Sequence, residues 1–413
     1  MSSMNIDYRY LRPRKAAMLR ERYDLMAAGS RRPLRFETLE DAVVIPPADK
    51  DHHECGVSVE VAQSADCMTE ECAVYFAGYL NRHWGHFLVD VLSRLWLLFD
   101  ARCPAYDKVI FAVAPEEGKG LPPTVEEALR YVGVLDRMEI IDTPCRYRRV
   151  IAPEAAVAPR EYYSPQTLAV YERIAQSAMA EIRRSGDFAS LSKILLSRAR
   201  LKKARDNEPG IISMHDFFDA DGYRPIYPEQ LTLARTIAYI RGAETVACAS
   251  GTLTHNMLFA RPGQRLVVIE KTPMINNYQQ GVDLIKGLHA TYIDANAQIM
   301  SVSQGLGPFI MYPNEYLRAF ARDEGMSVAD WSDGEKRQAL RRYFRMYARH
   351  YSRRWIMEPW EECEIGLMAE AYDDSYRDFG AWLSGGRPIF VSDLLSPRRL
   401  LKRLYHLYKN RKP

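Results

Sequence analysis

Residues 245–270 read TVACASGTLTHNMLFARPGQRLVVIE. The run opens with small and β-branched apolar residues and turns at Ala249-Ser250-Gly251. It continues with apolar residues at helical spacing, stops at Arg261-Pro262-Gly263, and resumes as the apolar run Arg265–Glu270. Short apolar runs bounded by turn residues read as buried strands. The stretch therefore predicts a strand at Thr245–Cys248, a helix at Thr252–Ala260 and a strand at Arg265–Glu270, which is a βαβ unit.

The same alternation extends in both directions. Lys193–Leu196 is a strand candidate. Glu229–Gly242 is a helix candidate, with a glycine at its end where a left-handed cap costs little. Asn276–Leu288 and Ala290–Ile293 continue as helix and strand. Upstream, Ala73–Tyr79, Lys108–Ala114 and Met138–Ile141 are strand candidates. Between them lie the helix candidates His83–Ala101, with Phe87, Val91, Leu95 and Leu98 on one face, and Thr124–Val134. Ser164–Ser185 reads as one amphipathic helix bridging the two blocks. The expected architecture is α/β, with Rossmann-like domains at 51–160 and 191–300 facing a cleft and a bridging helix at 161–190. Ligands in such sheets sit beyond the carboxyl ends of the strands.

The flanks differ. Residues 1–50 are rich in arginine and proline and read as an irregular basic leader with a short helix near Arg14–Ala27. Residues 301–413 read as a helical extension, with helices at Tyr316–Tyr351 and Glu361–Trp382 and a basic tail. From Ser396 the tail carries Arg398, Arg399, Lys402, Arg403, Lys409, Arg411 and Lys412 and no acid. Its +7 against the total of +3 leaves −4 for the rest. A basic amphipathic helix of this kind can lie on an anionic membrane; the structural alternative is a packed helix with a solvated basic side.

Composition narrows the function. With 413 residues, 47% hydrophobic and 26% charged, the chain can bury large cores. A net charge of +3 is not that of a general nucleic-acid binder. Seven scattered cysteines suggest a reducing compartment rather than a disulfide framework. No secretory signal or 18-residue apolar run is visible, so the expected location is cytoplasmic, with peripheral contact on the inner face of the plasma membrane as the role for the tail.

Three constellations carry chemistry. In Asn81-Arg82-His83-Trp84-Gly85-His86-Phe87-Leu88-Val89-Asp90, His86 and Asp90 are four apart and share a helix face. A carboxylate beside an imidazole sets its tautomer and raises its basicity. A satisfied core histidine has the same spacing. In the second, Ser197-Arg198-Ala199-Arg200 and then Lys202, Lys203 and Arg205 follow a strand end, which favours anion binding; a solvated charge run is the alternative. In the third, Ser250-Gly251-Thr252, with Thr254 and His255, joins strand to helix. Its glycine lets the backbone approach a phosphate. Glu270 ends the next strand, where it can accept ribose hydroxyls or pair with Lys271 or Arg265.

Taken in order, His86, Asp90, Leu92 and Arg94, then Ser197-Arg198 leading to Arg205 and Asn207-Glu208, then Ser250-Gly251-Thr252, Asn256, Leu258-Phe259-Ala260, Pro262-Gly263 and Glu270 resemble glycosyltransferase family 61, over roughly residues 70–300. That resemblance implies a GT-B pair of Rossmann-like domains and inverting transfer from a nucleotide-sugar donor, usually UDP-linked, to a glycan or glycolipid acceptor, without an essential metal or other cofactor. It implies Arg198 and Arg205 at the donor diphosphate, Asn207 beside them, Ser250, Gly251 and Thr252 at the same diphosphate, Glu270 at the ribose and His86 with Asp90 at the acceptor. His83 is the second candidate base. Many members have His-Gly where this chain has Ser250-Gly251, so that imidazole is absent or His255 supplies it one turn later.

Other signals weigh less. Asp219-Ala220-Asp221 spells a D-x-D, a metal motif in another glycosyltransferase fold. Asp51-His52-His53-Glu54-Cys55 crowds ligand types without zinc spacing. Cys67 and Cys72 read as free thiols, and Gly118-Lys119-Gly120 is too short for a phosphate loop. The alternatives to a transferase are another nucleotide-sugar enzyme, such as an epimerase, and a catalytically silent membrane-associated scaffold of a polysaccharide assembly.

Overall fold

In the computed structural model the chain builds two six-stranded sheets. The structure describes residues 6–49, 58–61, 67–202, 204, 208, 210–297 and 308–351, with positions 367, 370, 371, 374 and 375. The strands in chain order are β1 (Asp7–Tyr10), β2 (Phe36–Ile45), β3 (Ser58–Val61), β4 (Met68–Tyr79), β5 (Lys108–Ala112), β6 (Met138–Ile141), β7 (Cys145–Pro153), β8 (Val157–Ala158), β9 (Tyr162–Tyr163), β10 (Lys193–Leu196), β11 (Arg224–Ile226), β12 (Thr245–Ala249), β13 (Arg265–Glu270), β14 (His289–Asp294), β15 (Asn296–Ala297) and β16 (Ile310–Met311).

One sheet runs β1-β14-β13-β12-β10-β11 and is parallel throughout. The other runs β3-β2-β7-β4-β5-β6, with β7, β4, β5 and β6 parallel and β2 antiparallel to both neighbours. The central strands read as continuous apolar runs because both faces are covered. In β13, Leu266 to Glu270 are all buried. The bridging helix, Leu168–Ser185, buries Val170, Tyr171, Ile174, Ala175, Ala178 and Ile182. It packs against helix Pro123–Val132 on one side and helix Leu233–Gly242 on the other. One apolar cluster thereby runs from Tyr75 and Val109 of the first sheet to Val246 and Leu266 of the second.

The N-terminal segment differs from the irregular leader expected. Asp7–Tyr10 is the edge strand of the all-parallel sheet, pairing with β14. Pro13–Gly29 is a 17-residue helix begun by a proline in its first turn, and Phe36–Ile45 belongs to the other sheet. What fixes the segment is a buried ion network. Arg12 lies 3.6 Å from Asp294 and 2.7 Å from Asp374, and the Lys15 ammonium lies 2.9 Å from Glu270 and 3.2 Å from Asp294.

Smaller differences have local causes. The helix expected at Glu229–Gly242 starts at Leu233, where the Thr232 hydroxyl accepts the Arg235 N–H as an N-cap. Gly242 is not left-handed; the chain leaves the helix through an extended Ala243. A Cβ on Gly242 would meet that of Ser190 at 3.1 Å, so close packing explains this glycine. The single helix expected at Tyr316–Tyr351 is two, Glu315–Glu324 and Asp333–Tyr351. Gly325, with φ +67°, closes the first. No helix among the described residues is long and apolar enough to cross a membrane. The Arg398–Lys412 tail and most of the helix expected at Glu361–Trp382 lie outside the described residues.

Candidate functional site

The loops leaving β10, β12 and β13 at their carboxyl ends, together with the helical run after β4, surround one cavity of about 560 Å3. His83, His86, Arg198, Ser250, Gly251, Thr252, His255 and Glu270 line it, as do Glu208, Lys271, Asn276 and Tyr278. Residues more than 160 positions apart in sequence thus line one cavity. Asp90 is not part of the lining but touches it through His86. Arg205 and Asn207 lie outside the described residues.

The first wall is helical in three modes. Trp84–His86 is α-helical, Phe87–Val91 is a π-turn and Leu92–Phe99 is 3-10. π-turns inside helices frequently mark functional sites. Across this one, His86 Nδ1 and Asp90 Oδ2 are 2.8 Å apart, with both side chains more than a third exposed. Proton donation from Nδ1 to the carboxylate leaves the lone pair on Nε2, the form a general base needs. The His83 ring lies 5.5 Å from that of His86, and Tyr278 stands edge-on to His86 at 6.1 Å.

The two walls meet at Gly85. A Cβ there would lie 2.8 Å from Thr252 Oγ1 and 3.4 Å from His255 Nδ1, so only glycine lets the two helix starts approach this closely. The Trp84 indole donates to Asn256 Oδ1 at 3.0 Å across the same seam. Asn256 donates from its amide to the Leu253 carbonyl, and Thr254 donates to the Gly251 carbonyl at 2.8 Å. Asn256 and Thr254 are therefore structural, with the Thr254 hydroxyl engaged within the turn.

Gly251 itself has φ +116°, a conformation that side-chain-bearing residues rarely adopt. The helix after it is a single turn, Thr252–His255, continued as 3-10 through Phe259. So short a helix offers only a weak dipole, and the positive charge at this turn comes mainly from side-chain cations. Arg198 and Lys271 are those cations in the lining. His255 is 6% exposed, and its Nε2 accepts from the Asn276 side-chain amide across 3.3 Å. Burial, reinforced by His86, lowers its pKa to about 4, so it is neutral at physiological pH.

Glu270 is 2% exposed, and its Oε2 holds the Lys15 ammonium. Burial pushes its carboxyl pKa up, while Lys15 opposes that shift. The partner expected from sequence was Lys271 or Arg265; Lys271 instead bonds Glu208 at 3.0 Å, and Arg265 reaches Glu324. Lys15 also donates to the Thr272 carbonyl at 2.9 Å and so fixes two lining residues from behind.

Lys271, Tyr278 and Lys15 were not among the candidates, and Glu208 was quoted only as the second residue of the Asn207-Glu208 pair. Lys271 had a legible signal, its place one residue beyond a buried strand, whereas Lys15 had none.

The D-x-D pair is spent on ion pairs outside the lining: Asp219 with Arg224 at 3.1 Å and Asp221 with Lys193 at 2.8 Å. Among the described residues no three His, Cys, Asp or Glu side chains gather as a metal-ligand set. Asp51–Cys55 lies outside the described residues, and Cys67 and Cys72 are free thiols. A second cavity of about 390 Å3 adjoins the first, sharing His83, Arg198 and Thr252.

A search of curated proteins returns no match to this chain. Residues 84–267 match the model of the family described as glycosyltransferase 61, a stretch that takes in His86, Asp90, Arg198, Gly251 and His255 and ends just before Glu270. Over this stretch, which is less than half of the chain, the protein is similar to glycosyltransferase family 61.

Proposed function

We propose that the protein is an inverting glycosyltransferase that moves a sugar from a nucleotide-sugar donor, UDP-linked, to a hydroxyl of a cell-surface or capsular glycan, without an essential metal. The observation carrying this is the convergence of a carboxylate-backed histidine, His86 with Asp90, and a cationic glycine turn, Arg198 with Gly251, on one cavity. On this reading the two sheets are the halves of a GT-B arrangement. The donor lies against the carboxyl ends of β10, β12 and β13, and the acceptor enters beside His83 and His86. The adjoining second cavity gives an acceptor room.

Inversion is one displacement at the anomeric carbon. His86 Nε2 takes the acceptor hydroxyl proton as the hydroxyl oxygen attacks, and Asp90 stabilises the imidazolium that results. A positioned base contributes about 10²–10⁴-fold. The bond to the diphosphate breaks as the new bond forms, and the charge arriving on the leaving oxygen meets Arg198 and the Gly251 turn. Such preorganised charge is often the largest catalytic contribution. Ser250 and Thr252 flank the diphosphate, and Glu270, held by Lys15, accepts from the ribose. Arg205 and Asn207 complete the donor side in this proposal, and His255 packs neutral beneath it. His83 is the reserve base. The enzyme works in the cytoplasm, and the Arg398–Lys412 tail holds it at the inner membrane face near its acceptor.

His86→Ala tests this most simply. Transfer should fall by about 10²–10⁴-fold, with donor binding little changed, and Asp90→Asn should lose less. Near wild-type transfer by His86→Ala, measured as nucleotide release that depends on acceptor, would remove His86 from the role of base.

A further inference from the structure

Glu208 is a buried carboxylate held between two cations at the mouth of the glycine turn. Its Oε1 lies 3.0 Å from Lys271 Nζ and 3.9 Å from the Arg198 guanidinium, while its side chain is 4% exposed. Lys271 is also nearly buried, and its ammonium lies 4.9 Å from the Phe309 ring centroid. A Cβ built on Gly251 would sit 3.8 Å from that ammonium, so Lys271 reaches over the turn itself. Arg198, Glu208, Gly251, Lys271 and Phe309 all line the same cavity.

The charge balance is the unusual feature. Glu270, the other carboxylate in the lining, is neutralised from behind by Lys15, which is not a lining residue. Among the described residues, that leaves Arg198 and Lys271 facing a single carboxylate, Glu208. A carboxylate bound to two cations occupies the place that a diphosphate oxygen would take, since both present anionic oxygens to the same donors. Burying an uncompensated ammonium is expensive, so an empty site of this kind needs an internal counter-ion.

We propose that Lys271 is a second diphosphate-binding cation beside Arg198, and that Glu208 is the internal counter-ion that the diphosphate displaces. The inference rests on the donor-site reading of this cavity. Lys271 then turns from Glu208 to the leaving diphosphate and supplies charge that the one-turn helix after Gly251 cannot. Glu208 sets the affinity downward and helps release the nucleoside diphosphate after transfer.

The experiment is isothermal titration of the full-length protein with UDP, inorganic pyrophosphate and uridine, all in EDTA, using wild type, Lys271→Met, Lys271→Arg and Glu208→Gln, with melting curves to confirm folding. Lys271→Met should weaken UDP and pyrophosphate by about tenfold or more and leave uridine unchanged. Lys271→Arg should keep most of the binding. Glu208→Gln should bind pyrophosphate about three- to fivefold more tightly. That gain is a result that mere damage to the fold does not produce. If wild type binds UDP and a folded Lys271→Met binds it equally well, the inference fails while the donor site stands. Weaker binding of pyrophosphate by a folded Glu208→Gln overturns the counter-ion role. If wild type binds neither UDP, pyrophosphate nor any other nucleoside diphosphate, the donor-site reading fails beneath it.

Discussion

His255 ties stability to the site. Its pKa of about 4 comes first from burial, with His86 adding to it. An unfolded imidazole titrates near 6.5. Between those values the unfolded chain binds a proton that the folded chain refuses, so this group withdraws stability as pH falls from about 6.5 to 4. The full effect is on the order of 3 kcal/mol. Asp283 acts in the opposite sense. Burial raises its carboxyl to about 7, so the folded state keeps a proton that the unfolded one loses from about 4 upward, and this group's stability is lost as pH rises. Only a difference between variants separates the two. In urea titrations at several pH values, His255→Gln should gain on wild type by about 3 kcal/mol from pH 7 to pH 4; parallel curves would show that His255 is not held neutral. At this scale the sequence was legible where one residue type in a local pattern implied its partner, as with His86 and Asp90. It was not legible for Lys15 and Glu270, which meet across more than 250 positions, nor for Tyr278, whose place beside both histidines depends on packing.

Among the elements, the seam between Trp84–His86 and Thr252–His255 matters most, because it brings His86 to the glycine turn. Gly85→Ala puts a methyl group 2.8 Å from Thr252 Oγ1 and 3.3 Å from its Cγ2. Threonine is β-branched and stiff, so the backbone must yield. Overpacking of this kind costs about 1–3 kcal/mol. Gly85→Ala should lower the melting temperature and reduce transfer, and adding Thr252→Ala should restore much of the stability by removing both obstructing atoms. If Gly85→Ala is as stable as wild type, the seam is not closed at that point. The strands were read well where both faces are buried: Lys193–Leu196, Met138–Ile141 and Arg265–Glu270 have the bounds expected. Cys145–Pro153 was missed because Arg146, Arg148 and Arg149 interrupt it; their outward side chains leave Cys145, Tyr147, Val150 and Ile151 buried. The first strand has only four residues, and its partner lies some 280 positions away, so no local pattern could show it.

Among the described residues the two six-stranded sheets share an apolar core, and the chain crosses between them more often than the alternation of its sequence suggests. The N-terminal strand and helix belong with the later sheet, and through Lys15 they reach the floor of the cavity. The proposed function requires this cavity to hold a nucleoside diphosphate without a metal. The direct test is the melting temperature of the full-length protein with and without UDP, in EDTA. At 100 times its dissociation constant, UDP should stabilise wild type by about 2.7 kcal/mol and leave Arg198→Ala nearly unmoved. A melting temperature unchanged by UDP and by every other nucleoside diphosphate in EDTA, or raised only when Mn²⁺ is supplied, would contradict the account.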